Sequence, residues 1–476
     1  MLNPSIKKRY TPLQSLILPT MSYLLYVGLL SAIRLFLYHQ APIVDADEAE
    51  QIQLAQHFLL GYPGQPPLYT WLQYLVFQLF GMSLFGLILL KHSLLFFCWY
   101  FYYRICQISV QDTKMVWCAT LSWALLPLIS IDLLLHRTHV ILALLMACIT
   151  WYWIIKPSLL KPWAWFSSLG ILIGLGCLSK FNYLIFLLVL IMATFSIKAY
   201  RDRFFHPIAL LTPFFAILIS IPYWIWLIHH PNIGLSTTFK LFAFGSNERD
   251  AVIDFLGIAL IFLLPPALLC FFFSLQQKIT PNTLENKLLW RYHFLLIPTL
   301  VILINIAHMR TFFAHWPTPL LFLSPLLWFS LIDKRSYSIR KTVGYLSICL
   351  TIQATSLILW SQFPLAYHFE LQEKLCALAE QDKKPIHAVV SNSSWLIGTL
   401  MLRLHIPHGS LWLQDREEAP PLPQSPTLLM WDGPEITIWI NAYHLDPKKI
   451  KTVIIEEPVG SNQVHKRAVH WIVITT

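Results

Sequence analysis

The sequence predicts an α-helical polytopic membrane protein of about eleven spans, followed by a C-terminal extracytoplasmic α/β domain. Three observations predict it. Hydrophobic residues make up 56% of the 476 and charged residues only 12%, about half the charged share of a soluble globular chain. Apolar runs of near-spanning length recur along the first three quarters, and basic residues gather in alternate loops. A mean hydropathy of +0.58 excludes an ordinary water-soluble enzyme, and intrinsic disorder needs the opposite composition.

Taken in order, the spans fall near 14–38, 83–106, 115–135, 139–155, 163–179, 181–197, 207–228, 251–275, 293–307, 317–332 and 342–362. The first run is long for a cleaved signal peptide and lacks a small-residue cleavage site before the polar loop. With the N-terminus in the cytoplasm, one set of loops holds seventeen basic residues, from Lys7 to Lys341. The opposite loops hold five: Arg137, Lys180, Lys240, Arg249 and Arg310. This is the positive-inside pattern. The net charge of +10 therefore reads as topology, and no nucleic-acid partner is expected.

From about Phe363 charges return, and β-branched runs appear at 388–390, 436–440 and 453–455. The division is a transmembrane domain over 1–362 and a soluble α/β domain over 363–476, which an odd span number places outside. Seven of the eight Cys lie in or beside spans and only Cys376 lies in the outer domain. The thiols read as packing residues, not as a disulfide frame or a zinc site.

The first outer loop is the most informative stretch. It runs Val44-Asp45-Ala46-Asp47-Glu48-Ala49-Glu50, then Gly61-Tyr62-Pro63-Gly64-Gln65-Pro66-Pro67-Leu68-Tyr69-Thr70-Trp71-Leu72. Residues 47–60 are predicted to form an amphipathic helix lying on the membrane surface, with Ile52, Ala55 and Leu59 on one face and Gly61 ending it. Asp45 and Glu48 have the spacing of a capping box, so Glu48 is either a cap or an acid with a chemical role. Asp47 is surplus to such a cap and is the stronger catalytic candidate.

An acidic pair after the first span, a juxtamembrane helix and Gly-Tyr-Pro-x-x-Pro-Pro-Leu-x-x-Trp-Leu resemble the protein-mannosyltransferase-like branch (family 39) of the GT-C glycosyltransferases. That branch includes bacterial enzymes similar to aminoarabinose lipid A transferase. The segments Gly174-Leu175-Gly176-Cys177-Leu178-Ser179-Lys180-Phe181-Asn182-Tyr183 and Arg310-Thr311-Phe312-Phe313-Ala314-His315-Trp316-Pro317-Thr318-Pro319 extend the resemblance over roughly residues 10–335. It implies a bacterial inner-membrane enzyme that moves a hexosyl or pentosyl group from a polyprenyl-phosphate donor. The acceptor would be lipid A, another glycan, a lipid or a protein on the extracytoplasmic face.

In that frame Asp47 takes the place of the family's first-loop catalytic Asp, with Glu48 beside it. Asp47 would orient or deprotonate the acceptor, or position an acidic acceptor through a divalent metal cation. Lys180 and Arg310 are the candidates for the donor phosphate, with His315 and Gln65 as helpers. Each cation also has a plain alternative, Lys180 as a snorkelling span-end residue and Arg310 as a solvated loop charge. Two positions depart from the branch. The aminoarabinose subgroup has Glu-Lys where Gly64-Gln65 stand here, and His139 stands where an acid opens the fourth span, with Asp132 a turn or two away.

Eight histidines (39, 57, 136, 139, 229, 230, 308 and 315) fall on the outer side without metal-ligand spacing. The aromatic clusters at 99–103, 151–153 and 223–226 read as interfacial belts. Lys91 is an intramembrane charge, and 229–250 is long enough for a lid. Two other readings compete: a transporter or flippase for lipid-linked sugars, which expects an inverted repeat absent here, and a non-catalytic envelope-assembly protein.

Overall fold

The computed structural model describes residues 44–110, 112–243, 247–274, 283–331, 386–412, 426–433, 436–459 and 463–474, with positions 21, 28, 343–345, 347–349, 351, 352, 355, 377, 419, 420 and 422. Most of the proposed spans at 14–38 and 342–362, together with His39 and Cys376, lies outside the described residues. The chain forms two compact units. The first takes in residues 1–30, 59–69 and 90–358, and the second takes in 31–58, 70–89 and 359–476.

The first unit is helical, and its helices fall on the apolar runs: His139–Ile155, Pro162–Cys177, Asn182–Phe195, Leu211–His229, Glu248–Ser274 and Leu284–Ile306. The helix Leu84–Ser109 contributes its residues 90–109 to this unit. Among the described residues four helices are long and apolar enough to cross a bilayer, or five if Asn182–Phe195 and Lys198–Phe204, bent by 107°, count as one span. Their lipid-side residues are apolar and exposed, such as Phe271, Phe294, Ile306 and Ile228, as a multi-pass membrane protein requires.

The run at 115–135 is not one helix. It breaks into Thr113–Leu121, a 3₁₀ turn at Ser122–Leu125, a π-helical turn at Leu128–Asp132 and Leu133–Leu135. Pro127 lacks the N–H that a continuous helix needs. The Ser122 hydroxyl donates back to the Cys118 carbonyl at 2.5 Å, which also loosens the local ladder.

The aromatic clusters are packed inside rather than set in belts. Trp99, Tyr102, Tyr103, Trp151 and Tyr223 are each at most 5% exposed, and Tyr102 stacks on Trp123 at 4.1 Å between ring centroids. Helix–helix packing claims these rings before the interface can. The seven cysteines at 98, 106, 118, 148, 177, 270 and 349 are buried and free. Lys91 is buried as well.

The second unit contains a five-stranded mixed sheet ordered β2-β1-β3-β5-β4. Its strands are β1 (Ala388–Ser391), β2 (His408–Leu411), β3 (Thr427–Asp432), β4 (Lys451–Val459) and β5 (Gln463–Ile474). β1 pairs in parallel with β2 and β3, while β5 pairs antiparallel with β3 and β4. The run at 436–440 is not a strand but the helix Ile436–Tyr443. Trp439 on that helix stacks on Trp431 of β3 at 4.9 Å, and this packing overrides the β-branched composition.

Residues 47–60 do not form one long surface helix. The helix is Ala46–Leu54 and ends at Ala55, while Leu59 is 50% exposed beyond it. Ala49, Ile52 and Ala55 pack against Leu396, Ile397, Leu400 and Met401, which lie on or beside the helix Ser394–Arg403. A fully buried aliphatic side chain contributes about 1.5–3 kcal/mol, so this apolar face is satisfied by protein rather than by lipid. The approach is close enough that a Cβ on Gly398 would stand 2.2 Å from the Ala49 carbonyl oxygen.

Candidate active site

In the first unit the helices Pro162–Cys177 and Asn182–Phe195 are joined by a tight turn that carries Lys180. The turn is tight because Gly176 lies against the Tyr183 ring, where a Cβ would come within 2.2 Å. The Ser179 hydroxyl donates to the Gly176 carbonyl at 2.6 Å, and the Tyr183 hydroxyl shares a hydrogen bond of 2.8 Å with Thr150. Lys180 is 6% exposed. A burial that deep is unusual for a lysine, which reaches water readily when it only marks a span end.

Around Lys180 the fold collects polar groups from four segments. Asn182 opens the next helix and donates through its amide to the main-chain carbonyl of Trp316 at 2.8 Å. This bond holds the segment bearing His315, Trp316 and Thr318 beside the lysine turn. His139, at the start of its helix, packs against the Tyr69 ring with centroids 5.1 Å apart and planes tilted by 43°, and feels the Lys180 charge. Burial, then the positive charges of Lys180 and Arg137, push the His315 imidazole down to about 2, so it is neutral at physiological pH. Arg137 donates from Nε to both carboxylate oxygens of Asp132, at 3.2 and 3.0 Å.

Among the described residues three buried polar atoms here have no hydrogen-bond partner: Thr138 Oγ1, Asn182 Oδ1 and Thr318 Oγ1. Leaving such groups unpaired costs about 1–3 kcal/mol each, and sites awaiting a polar ligand carry that cost.

The Gly61–Tyr69 loop is pinned to the same unit. The Leu68 N–H donates to the Leu178 carbonyl at 3.0 Å and the Gly64 N–H to the Ile233 carbonyl at 2.9 Å. Gly64 has φ +74°, the left-handed region that glycine tolerates, and Thr237 donates its hydroxyl to the Gly64 carbonyl. Gln65 is partly buried and bridges to Tyr62. The 229–250 segment therefore contains helical turns at Pro231–Gly234 and Lys240–Ala243 that brace this loop.

Arg310 is exposed and keeps different company. Its N–H donates to the Leu241 carbonyl at 2.8 Å, and its charge acts on Glu248, whose carboxylate pairs with His308 at 3.1 Å. The structure thus brings Lys180, His139, His315 and the Asp132–Arg137 pair together, and gives Arg310 to a separate ion cluster. His229 and His230 bond to the Ile225 and Trp226 carbonyls of their own helix.

Asp47 and Glu48 belong to the second unit. The Asp45 N–H donates to the Glu48 carboxylate at 3.4 Å in a capping box, and Glu48 is 1% exposed. The capping function therefore falls to Glu48. Asp47 is partly exposed on the first turn, where the helix dipole favours an ionised carboxylate. Beneath it Thr70 donates to Gln51 at 3.0 Å, both fully buried. Among the described residues no three His, Cys, Asp or Glu side chains are grouped to hold a metal ion.

Sequence reasoning passed over Arg137, Thr138 and Thr318. Arg137 is one of the five outer-face cations in the sequence, which is signal enough to find it. The two threonines carried none.

Residues 64–226 match the dolichyl-phosphate-mannose-protein mannosyltransferase family. Two lipopolysaccharide core galacturonosyltransferases of Rhizobium johnstonii are similar in sequence. RgtB is 30% identical over 292 residues, covering 60% of this chain and 59% of RgtB; RgtA is 29% identical over 227 residues, covering 48% and 45%. The matched part thus spans about half the length of these curated relatives. The fold resembles that of ArnT from Cupriavidus metallidurans, crystallised with undecaprenyl phosphate, with a TM-score of 0.61, 10% identity and coverage of 94% and 98% of the two chains. At that identity the likeness speaks for the fold alone. The fold is of the GT-C type. With the sequence matches, the chain resembles the protein-mannosyltransferase-like branch of that superfamily.

Proposed function

We propose that the chain is a bacterial inner-membrane glycosyltransferase that moves a sugar from a polyprenyl-phosphate donor to an envelope acceptor on the extracytoplasmic face. The observation that carries this reading is the buried Lys180, set among three unpartnered buried polar atoms on a GT-C fold. A buried cation with spare hydrogen-bonding atoms suits a phosphorylated sugar better than a purely structural role. The galacturonosyltransferase relatives make galacturonate the first donor sugar to try and lipopolysaccharide core the first acceptor.

In the proposed reaction an acceptor hydroxyl oxygen bonds to the anomeric carbon as the bond from that carbon to the phosphate oxygen breaks. The hydroxyl proton passes to a carboxylate base, the role that the sequence resemblance implies for Asp47, and polyprenyl phosphate leaves with the bonding electron pair. Lys180 offsets the charge that develops on the phosphate, a form of stabilisation worth several kcal/mol in a dry site. His315, held neutral, and His139 are available to hydrogen-bond the sugar or phosphate oxygens. Arg310, exposed in its own ion cluster, suits the approach of an anionic substrate better than contact with the reacting atoms.

Mass spectrometry of lipids copurifying with the protein tests donor class and sugar together, and a polyprenyl-phospho-sugar is the expected finding. Purified protein that carries only bulk phospholipid and transfers no sugar from such donors contradicts the reading. A flippase would instead keep its function in Asp47→Asn, and its deletion would accumulate donor lipid on one leaflet.

A further inference from the structure

The helices His139–Ile155 and Pro162–Cys177 run antiparallel from the lysine turn to a second feature at their far ends. His139 stands at the candidate site, and the 17 residues of its helix cover about 25 Å, close to a hydrocarbon thickness. There a cavity of about 330 Å³ is lined by Trp153, Lys156, Pro157, Ser158, Leu159 and Trp165, among others. The Trp153 indole N–H donates to the Trp165 carbonyl at 3.3 Å, which fixes the two helix ends around it.

Three properties specify an occupant. First, the cavity is cationic. The Lys156 ammonium, in the cavity wall, lies 5.4 Å from the Tyr152 ring and 6.0 Å from the Trp153 ring, and the Arg203 guanidinium lies 3.6 Å over the lining Trp165 without itself lining the cavity. Among the described residues neither cation is in a salt bridge, and aromatic rings hold both. Second, apolar side chains surround the mouth: Leu159 is 90%, Leu160 49% and Trp163 58% exposed, which suits acyl chains and not water. Third, the cavity is built on the 156–165 connection, one of the basic loops of the sequence, which holds Lys156 and Lys161, with Lys198 and Arg201 in the next loop of the same set. The positive-inside pattern assigns these loops to the cytoplasmic side.

We propose that this cavity is a binding site for the phosphate headgroup of an anionic phospholipid, with Lys156 in the wall facing the phosphate, Arg203 adding its charge from behind Trp165, and the acyl chains lying along Leu159, Leu160 and Trp163. Basic pockets between helices on this side recognise such headgroups at about 1 kcal/mol per cation, or about fivefold in affinity. The site lies a helix length from the sugar chemistry and stands whether or not the transferase reading does.

Native mass spectrometry of the full chain, released from nanodiscs of phosphatidylethanolamine with a minority of phosphatidylglycerol, tests it. The wild type is expected to retain phosphatidylglycerol in preference to phosphatidylethanolamine. The double substitution Lys156→Gln with Arg203→Gln should weaken that retention by about twentyfold, while Lys156→Arg with Arg203→Lys preserves it. Ser158→Glu places an anion at the cavity without touching either cation, and should expel the lipid from a normally folded protein. Millimolar inorganic phosphate should fail to displace it. Equal retention in the wild type and the glutamine and Ser158→Glu variants, or displacement by inorganic phosphate alone, overturns the assignment.

Discussion

The Asn182 side-chain amide donates to the Trp316 carbonyl at 2.8 Å, joining segments 134 residues apart in the chain. Through this bond the turn that presents Lys180 and the segment that presents His315 are held as one construction. Asn182→Ala would leave the Trp316 carbonyl unpaired, at a cost of about 1–3 kcal/mol. Thermal unfolding in detergent should register that loss, and Asn182→Asp, whose ionised carboxylate cannot donate to the Trp316 carbonyl, should fare no better; a fall in sugar transfer larger than the loss of folded protein shows that the bond also positions the site.

The capping box separates the two adjacent acids. Glu48→Ala removes the partner of the Asp45 N–H and should lower stability by about 1 kcal/mol, whereas Glu48→Gln keeps the box and should leave stability and transfer near wild type. Asp47→Asn should insert and fold normally yet abolish the surface-glycan change. A glycan profile of the Asp47→Asn strain that matches wild type removes Asp47 from the chemistry.

Gly398 allows two backbones to meet. Gly398→Ala drives a Cβ into the Ala49 carbonyl and Cα, and since the obstacle is backbone on both sides it should cost about 1–3 kcal/mol or more. Limited proteolysis should then open the segment carrying Asp47 while the helices of the first unit stay resistant.

His315 makes an acid-side prediction with a definite sign. Its folded value, about 2, lies below the unfolded value near 6.5. The unfolded chain therefore binds the extra proton, and the contribution of His315 to stability is present above about pH 6.5 and is lost as pH falls below it. The slope is at most about 1.4 kcal/mol per pH unit. His315→Gln should flatten the fall of Tm between about pH 6 and 4, while no step in activity between pH 7 and 8 should trace to this residue.

Much of the fold was legible because helix ends are written in charge and chain chemistry. The apolar run at 139–155 stops at Lys156, and Pro162 opens the next helix. What was not legible depended on tertiary partners. The first-loop helix ends at Ala55 while Gln56 leaves to bond both the N–H and carbonyl of Gly409, at 3.0 and 2.9 Å; nothing local to residues 47–60 announces a partner 353 residues away. The same holds for Trp439, whose stacking on Trp431 turns a β-like run into a helix.

Within the site, the cations were legible as rare charges on the outer face, but their grouping was not. Lys180 and Arg310 looked equivalent by position. Only the packing shows Lys180 buried beside His139 and His315, and Arg310 given over to the Glu248 and His308 cluster.

The central claim is that buried Lys180 meets the phosphate of a polyprenyl-phosphate lipid. Its most direct test is the affinity of the purified protein for undecaprenyl phosphate, compared between wild type and Lys180→Gln. Loss of a charge-assisted bond predicts a weakening of at least about tenfold, with Lys180→Arg in between and the Tm of each variant close to wild type. Equal affinity in wild type and Lys180→Gln would contradict the claim.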